Sequence, residues 1–598
     1  MKIVSALRKA LLWLSYPIRK NPFFFLFMYL LVVFSFYYED LPTSEVLFYE
    51  GLFVDCYFLC AILLLLPHKI RSWVKCLFYF IGYTVTYVEW FLYARFWLRY
   101  TPTTIQLALE TNQDEASDFI NAYLWNGKLW EVTWMIGSIG VVNLLLEIYG
   151  ARVFGAVRKC VPSRPRSVLA MLFGLSCISY TGYCLYTTRE DKAKAIEYFS
   201  LNGAERIERV MGPIRFYSPM YRLAYSFKFT QLTAGEVEIL RRSMHKIEVD
   251  SCAFTCPNIV FVIGESYNKR HSQLYGYSKE TTPYMQKRFD NGEIIRFTDV
   301  VTPWNVTSNA FKSFLSTHSD DESGLWADGV LFPALFKKAG YTVSLFTQQF
   351  MKSTRLAAAD FNGSFFLNDE ELDSLCFDVR NKTKWKYDGG LIKEYGKHTG
   401  AYGKYNLIVF HLIGQHVDYS QRYPESEKQF IAGSIERMDL TEKERTIVAD
   451  YDNATYYNDK VINSICNLFS DKDAILIYMP DHGEEVYDEI RAFGRLHDAN
   501  MSPALVRAEF EIPFVVWGSK IFRKRHKALF DQLKAISNKP FKTDDIAHFF
   551  LNLGGIKTPF YDKTRDWLSP DYIKHPRILK HTLDYDSLMR SEPKPLFQ

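Results

Sequence analysis

The sequence predicts an α/β domain with a largely parallel sheet, carried outside a membrane by five N-terminal spans. Three observations lead there. The first third of the 598 residues is apolar and aromatic, in runs of span length. Basic residues gather in alternate loops between those runs. Beyond them lie five short β-rich runs, apolar throughout and separated by helical stretches.

The spans come first in the chain. Asn21–Tyr38 carries no charge, Gly51–Leu66 contains Asp55, and Cys76–Ala94 contains Glu89. Val132–Ile148 is interrupted by Glu147 near its end, and Ser167–Thr188 is again uncharged. Runs of about 20 apolar residues match a hydrocarbon core of about 30 Å. A buried core helix can mimic one such run, but five of them point to a membrane domain over residues 1–190. Lys2, Arg8, Lys9, Arg19 and Lys20 precede the first span, and the second and fourth loops, "PHKIRSWVK" and "GARVFGAVRKCVPSRPR", are basic. The first loop, "EDLPTSE", is acidic. Basic loops stay inside, so the N-terminus is internal and the chain after Thr188 is external. The first span shares features with a signal peptide, but its length and the later spans make it a retained anchor.

Residues 191–256 read as a polar, mainly helical connector, with "KAKAIEYFSLNGAERIERVM" and "EVEILRRSMHKIE". The α/β domain covers 257–598. Its strand candidates are "NIVFVIGES" (258–266), "TVSLFT" (342–347), "NLIVFHLIG" (406–414), "AILIYMPDHG" (474–483) and "IPFVVWGS" (512–519). Runs that are apolar at every position suit strands buried on both faces of a parallel sheet. Between them, "GVLFPALFKKAG" reads as a helix stopped by Gly340. The net charge of +4 is too small and too dispersed to suggest nucleic-acid binding. Of ten cysteines, Cys252, Cys256, Cys376 and Cys466 lie in the exported part. An oxidising compartment permits disulfides; these four form no recognisable framework, although Cys252 and Cys256 are near enough in sequence to pair.

In such sheets ligands gather beyond the carboxyl ends of the strands. "NIVFVIG" runs into Glu265, "AILIYMP" into Asp481 and His482, and "NLIVFHLIG" contains His411 and precedes His416. Each alone reads equally as a cap, a turn residue or a satisfied core histidine. Together, at matching strand ends, a Glu, an Asp and a His make a divalent-metal site. Mixed oxygen and nitrogen ligands with one place open suit catalytic zinc. The stretch "VVTPWNVTSNAFKSFLS" adds five hydroxyls, Thr302, Thr307, Ser308, Ser313 and Ser316, with no His-Asp pair close in sequence to activate one.

"IGESYNKRHSQLYGYSKETTPYM", the Thr-containing segment after it, "MPDHGEE" and "RLHD" together resemble the membrane phosphoethanolamine transferases of the alkaline phosphatase and sulfatase superfamily. The similarity extends over nearly the whole chain. It implies an α/β/α sandwich in the periplasm, held on a bacterial inner membrane. It also implies a monomeric zinc enzyme with one metal site, and it allows a second. Aligning the segment from "F-T-D-V" to "F-L-S" puts Thr307 in the place of the nucleophile. The resemblance then makes Thr307 the fourth ligand beside Glu265, Asp481 and His482, activated by metal and not by a base. Thr302 and Ser308 read as turn residues. His416 in "GQHVD" and His497 in "RLHD" fall where relatives contact substrate phosphate or a second metal; a satisfied histidine is the alternative for each. Thr111 and Glu115, in "LALETNQDEASDFI", take positions that bind the ethanolamine head, although Leu107 replaces an Asn found in several relatives. A solvated amphipathic helix is the alternative there. His271 and Tyr275 support the loop after Glu265.

The departures from the family are informative. Pro303 and Ser313 stand where the colistin-resistance branch has cysteines. "FTQQF", with Gln348 and Gln349, is closer to the core-modifying members; Gln348 and Lys352 are the substrate-binding candidates of that segment. The implied reaction carries phosphoethanolamine from phosphatidylethanolamine in the bilayer to lipid A or another lipopolysaccharide or glycan acceptor, through a phospho-threonine. One rival is a phosphoglycerol transferase of the lipoteichoic-acid-synthase type, in which Glu115 would meet no cation. A sulfatase is disfavoured because the exported part lacks Cys/Ser-x-Pro-x-Arg. A non-catalytic membrane sensor would predict loss of the metal set, which is present.

Overall fold

The computed structural model describes residues 15–38, 48–96, 99–100, 104–105, 127–160, 163–199, 218–349, 366–495 and 501–590. The chain divides into two compact units, residues 1–106 with 119–232, and 107–118 with 233–598. The first unit holds α1 (Pro22–Tyr38), α2 (Phe48–Leu65), α3 (His68–Phe96), α4 (Gly127–Cys160) and α5 (Ser163–Phe199). Each apolar run falls on one of these helices, and α3, α4 and α5 continue well past theirs. By length and composition α2 and the Leu129–Gly150 part of α4 can cross a bilayer, and α1 is a shorter apolar helix. Charges within the runs are paired: Asp55 with Lys192 at 2.6 Å, Glu147 with Lys75 at 2.6 Å, and Glu89 with Arg222 of α6 (Pro219–Met244). A charge in apolar surroundings is costly unless it meets a partner. The boundary between the units, at 232/233, falls within the 191–256 segment.

The second unit is built on a seven-stranded sheet. Its strands are β1 (Asn258–Gly264), β2 (Ile294–Phe297), β3 (Thr342–Thr347), β4 (Val379–Arg380), β5 (Asn406–His411), β6 (Ala474–Pro480) and β7 (Phe514–Gly518), in the order β2-β7-β6-β1-β5-β3-β4. β6, β1, β5, β3 and β4 are parallel. β7 runs antiparallel to both β6 and β2, so the sheet is mixed, and the run "IPFVVWGS" is not one more parallel strand. An apolar run reports burial on both faces and carries no information on direction; all five residues of β7 are buried.

Side chains alternate across a strand with a period of two, and here the two sets enter separate cores. Ile259, Phe261 and Ile263 pack with Phe311 and Phe314 of α7 (Thr307–Leu315), Phe332 and Phe336 of α8 (Phe332–Ala339), and Phe549 and Phe550 of the helix Ile546–Gly554. Val260 and Val262 pack with Val461, Ile462 and Ile465 of α9 (Glu442–Leu468). Helices therefore cover both faces, giving three layers. Cys252 and Cys256 do not pair; the Cys252 thiol donates to Gly554 O at 3.5 Å, and Cys256 is buried.

Candidate metal centre

The two central strands β1 and β6 end side by side, with Gly264 paired to Pro480. Glu265 follows β1, and Asp481 and His482 follow β6, so the register delivers three ligand side chains at one level. Their ligand atoms lie within 4.8 Å of one another, and all three residues are fully buried. Glu265 continues the odd-numbered series of β1, the set that faces α7. Thr307 is the first residue of α7. Its Oγ1 lies 3.4 and 3.2 Å from the two Glu265 oxygens and 3.4 Å from His482 Nε2. Thr302 and Ser316 are used elsewhere, donating to Trp304 O at 3.2 Å and Trp326 O at 2.8 Å.

The backbone around Glu265 is tightly set. Ser266 adopts a φ of +54°, in the left-handed region, where a non-glycine residue persists only if its surroundings enforce it. Its N–H donates to Asp481 Oδ1 at 3.2 Å and its hydroxyl to Glu265 Oε1 at 2.8 Å. The His482 N–H also donates to Asp481 Oδ1, at 2.8 Å. Gly414, with φ +46°, passes so close that a Cβ there would lie 2.9 Å from both Glu265 N and Glu265 O. Further along, His271 sits between Asp452 (2.6 Å) and Asp488 (3.2 Å). Burial alone would lower its pKa, but the two carboxylates outweigh burial and raise it to about 10. The Tyr275 hydroxyl donates to Phe514 O and accepts from Phe514 N, both at 2.9 Å. Both residues thus brace the loop after Glu265.

The donor set fits a divalent cation. His482 Nδ1 lies 2.7 Å from Gly483 O; that contact assigns the proton to Nδ1 and leaves the Nε2 lone pair facing the cluster. Burial and Arg495 hold this imidazole below its ordinary pKa, hence neutral. For Glu265 the upward push of burial is outweighed by its positive surroundings, Arg495 among them, which hold the carboxyl well below the usual range. Asp481 is pushed up by burial and by Glu265, and its Oδ2 accepts no hydrogen bond. Nε2 stands 3.2 Å from Glu265 Oε1 and 3.3 Å from Asp481 Oδ2. A nitrogen lone pair and carboxylate oxygens facing each other across such distances call for a shared cation, and buried charges are tolerated when they coordinate one.

Two further residues, which lie in the motifs but carry no assigned role there, reach the cluster. Gln349 Nε2 donates to Glu265 Oε2 at 2.9 Å. Arg495 Nη1 donates to His482 Nε2 at 2.8 Å and to Asn305 O at 3.4 Å, and Nε lies 3.5 Å from Glu484 Oε2. Gln348 is placed differently from its expected role. Its amide is taken up by the backbone of Trp385, donating to the carbonyl at 3.0 Å and accepting from the N–H at 2.9 Å. His416 keeps part of its surface open; burial, the main cause, takes its pKa down to about 3 against the pull of Glu265, so it is neutral. His411 is a core residue, with Nδ1 3.0 Å from Thr347 Oγ1 and its ring 4.6 Å from that of Phe311. Thr111, Glu115, Lys352 and His497 lie outside the described residues. Arg495 had one sequence signal, its position two residues before His497 in "RLHD".

Comparison with known proteins adds the family context. The sulfatase family model matches residues 257–556. Phosphoethanolamine transferase EptC of Escherichia coli O18:K1:H7 is 28% identical over 348 residues, covering 55% of this chain and 57% of that protein. The match thus spans just over half of that relative's length. Phosphoethanolamine transferase CptA of Salmonella typhimurium is 24% identical over 514 residues, 82% of each chain. Among solved structures, the integral membrane protein lipooligosaccharide phosphoethanolamine transferase A of Neisseria meningitidis is similar at a TM-score of 0.56 and 18% identity, over 91% of this chain and 97% of that one. That likeness shows a shared fold.

Proposed function

Because this chain belongs to the sulfatase family, we propose that it is a phosphoethanolamine transferase, carrying the group from phosphatidylethanolamine to lipid A or another lipopolysaccharide acceptor. The observation that carries this is Thr307 Oγ1 within 3.4 Å of both Glu265 and His482 at the start of α7. The names of the relatives support the transferred group, and the missing Cys/Ser-x-Pro-x-Arg sequence in the exported part argues against sulfate-ester cleavage.

Glu265, Asp481, His482 and Thr307 would hold one zinc ion, which when bound supplies the Lewis acidity that lowers the pKa of the threonine hydroxyl and offsets phosphoryl charge. In the first step a bond forms from Thr307 Oγ1 to phosphorus while the bond from phosphorus to the glycerol oxygen breaks. Diacylglycerol leaves and its oxygen takes up a proton. In the second step a phosphate or hydroxyl oxygen of the acceptor attacks the same phosphorus, and Thr307 is regenerated with its proton. His416, neutral and partly open to solvent, serves as a hydrogen-bond partner of a phosphoryl oxygen. Thr307 is the first residue of α7, and the N-terminal end of a helix favours negative charge. Thr111 and Glu115 bind the ammonium head, and His497 and Lys352 bind the phosphate. Gln349 orients Glu265, and Gln348 has no direct part. In this reading five N-terminal spans anchor the chain in the inner membrane, with its C-terminal part periplasmic.

The test uses the full chain with phosphatidylethanolamine labelled in its head group. Thr307 should carry the label, located by mass spectrometry of its peptide, and Thr307→Ala should carry none. Persistent labelling of Thr307→Ala overturns the assignment. Mass spectrometry of lipopolysaccharide from cells with and without the protein then reads the acceptor; a gain of phosphoglycerol would favour the rival transferase.

A further inference from the structure

We propose that Arg495 clamps a non-bridging oxygen of the transferred phosphoryl group, and that metal binding frees it to do so. The proposal rests on the transfer reaction above. The Arg495 side chain is only 12% exposed, and it reaches the centre of the site: Nη1 is 2.8 Å from His482 Nε2 and 3.4 Å from the carbonyl of Asn305, two residues before the nucleophile.

His482 Nε2 has one lone pair, because the Nδ1 proton is given to Gly483 O. That lone pair serves the guanidinium or a metal ion, not both, and a divalent cation at that point repels the guanidinium. Once Glu265, Asp481 and His482 hold a metal, Nη1 must leave Nε2. Glu484, 3.5 Å from Nε, keeps the guanidinium in the pocket. Among the described residues the acceptors left to it are then Asn305 O at 3.4 Å and Glu484 Oε2 at 3.5 Å, both long, and a poorly made hydrogen bond in a buried place is costly. Thr307 Oγ1 lies 3.4 Å from the same Nε2, so nucleophile and guanidinium flank one atom. A phosphoryl group on Oγ1 brings its non-bridging oxygens to the side Arg495 occupies, and the planar fork of a guanidinium matches two such oxygens.

A purely structural ion pair is the competing account. The Arg495–Glu484 separation of 3.5 Å is long beside the 2.8 Å contact to His482, and the other Glu484 oxygen is taken by the Tyr419 hydroxyl at 2.8 Å. Arg495 is therefore held in the site without being used up by Glu484.

The experiment compares the zinc-loaded full chain in detergent with Arg495→Ala and Arg495→Lys. Zinc content, kcat and KM for transfer from phosphatidylethanolamine, and inorganic phosphate binding by calorimetry are measured for each. Arg495→Ala should keep its zinc and lose about 100-fold in kcat, the scale for removing one donor to a developing charge. Its phosphate affinity should fall about tenfold or more, as for a lost charge-assisted hydrogen bond. Millimolar guanidinium should restore part of the rate, sodium chloride none, and Arg495→Lys should fall between. Unchanged kcat and phosphate affinity in Arg495→Ala overturn the clamp, as does a loss of rate that added zinc fully repairs. If the wild type transfers nothing yet binds phosphate in an Arg495-dependent way, the transferase function fails while the clamp stands.

Discussion

Replacing His271 by Gln removes the cation that braces the loop carrying Glu265. His271 is 2% exposed and bridges Asp452, itself fully buried, and Asp488, at 2.6 and 3.2 Å. Tyr277 donates to the second Asp452 oxygen and Asn268 to Asp488, each at 2.9 Å. Raising the imidazole pKa from 6.5 to about 10 corresponds to roughly 4 to 5 kcal/mol at about 1.4 kcal/mol per pH unit. Loss of one partner from a buried pair costs about 3–5 kcal/mol, which agrees. Because the folded pKa lies above the unfolded one, this stabilisation is complete below about pH 6.5, declines as pH rises, and is gone above about pH 10. Asp488, held below its ordinary pKa although burial pushes the other way, adds stability present above the usual carboxylate pKa and lost as pH falls through its folded value. The assay is amide hydrogen exchange of residues 266–277 in the full chain, corrected for the intrinsic rate. Between about pH 7 and about pH 9 the wild-type opening free energy should fall by roughly 1 kcal/mol per pH unit. In His271→Gln it should start about 3 kcal/mol lower and lose that slope. A flat wild-type profile, or wild-type protection in the variant, would refute the charged brace.

Three other outcomes follow from the same geometry. Gly414→Ala places a Cβ 2.9 Å from the Glu265 backbone at a φ of +46°; it should cost about 1–2 kcal/mol for the left-handed conformation and weaken zinc binding in a competitive titration, and wild-type affinity would count against it. Gln349→Ala removes the donor to Glu265 Oε2 and should weaken zinc about 10- to 100-fold, whereas Gln348→Ala, which loosens only the Trp385 segment, should leave the affinity unchanged; equal effects would contradict the placement of the two side chains. Chelation leaves Glu265 and Asp481 facing each other without a cation, so the melting temperature should fall by several degrees and recover on adding zinc; a temperature indifferent to chelator would argue against a metal at this cluster.

Much of the candidate site was legible because its candidate ligands sit directly after apolar runs. Glu265, Asp481 and His482 each end such a run, and sequence patterning finds buried strands well. Strand direction was not legible: β7 has the same apolar run as its parallel neighbours, and only its pairing with β6 and β2 reverses it. The edge strands β2 and β4, with four and two residues, are too short to carry a periodic signal. The two adjacent glutamines of "FTQQF" show another limit. Composition marks the pair, but the path of the chain just after β3 decides which one meets Glu265. Gln349 crosses toward the end of β5, where Leu412 O lies 3.5 Å from its amide, and Gln348 turns to Trp385.

Arg495 and the bare Oδ2 of Asp481 express one shortage of positive charge. Glu265 is ionised, and burial together with that negative neighbour pushes Asp481 toward its neutral form. Among the described residues, the cation on the lone pair of His482 is the Arg495 guanidinium. A guanidinium serves that nitrogen but brings no donor to Asp481 Oδ2, which stays without a hydrogen bond. Glu265, Asp481 and His482 would hold a divalent ion, whose charge would favour the ionised form of Asp481 beside Glu265. Arg495 is then surplus to the resting cluster, and the next negative charge to enter is that of a phosphodiester. The same arrangement thus links metal loading to phosphate capture. Phosphate affinity in the wild type should consequently rise with zinc occupancy by more than the zinc ion alone supplies, and calorimetry of Arg495→Ala at matched zinc content isolates that excess. An identical zinc dependence in both proteins would leave the guanidinium with no part in the coupling.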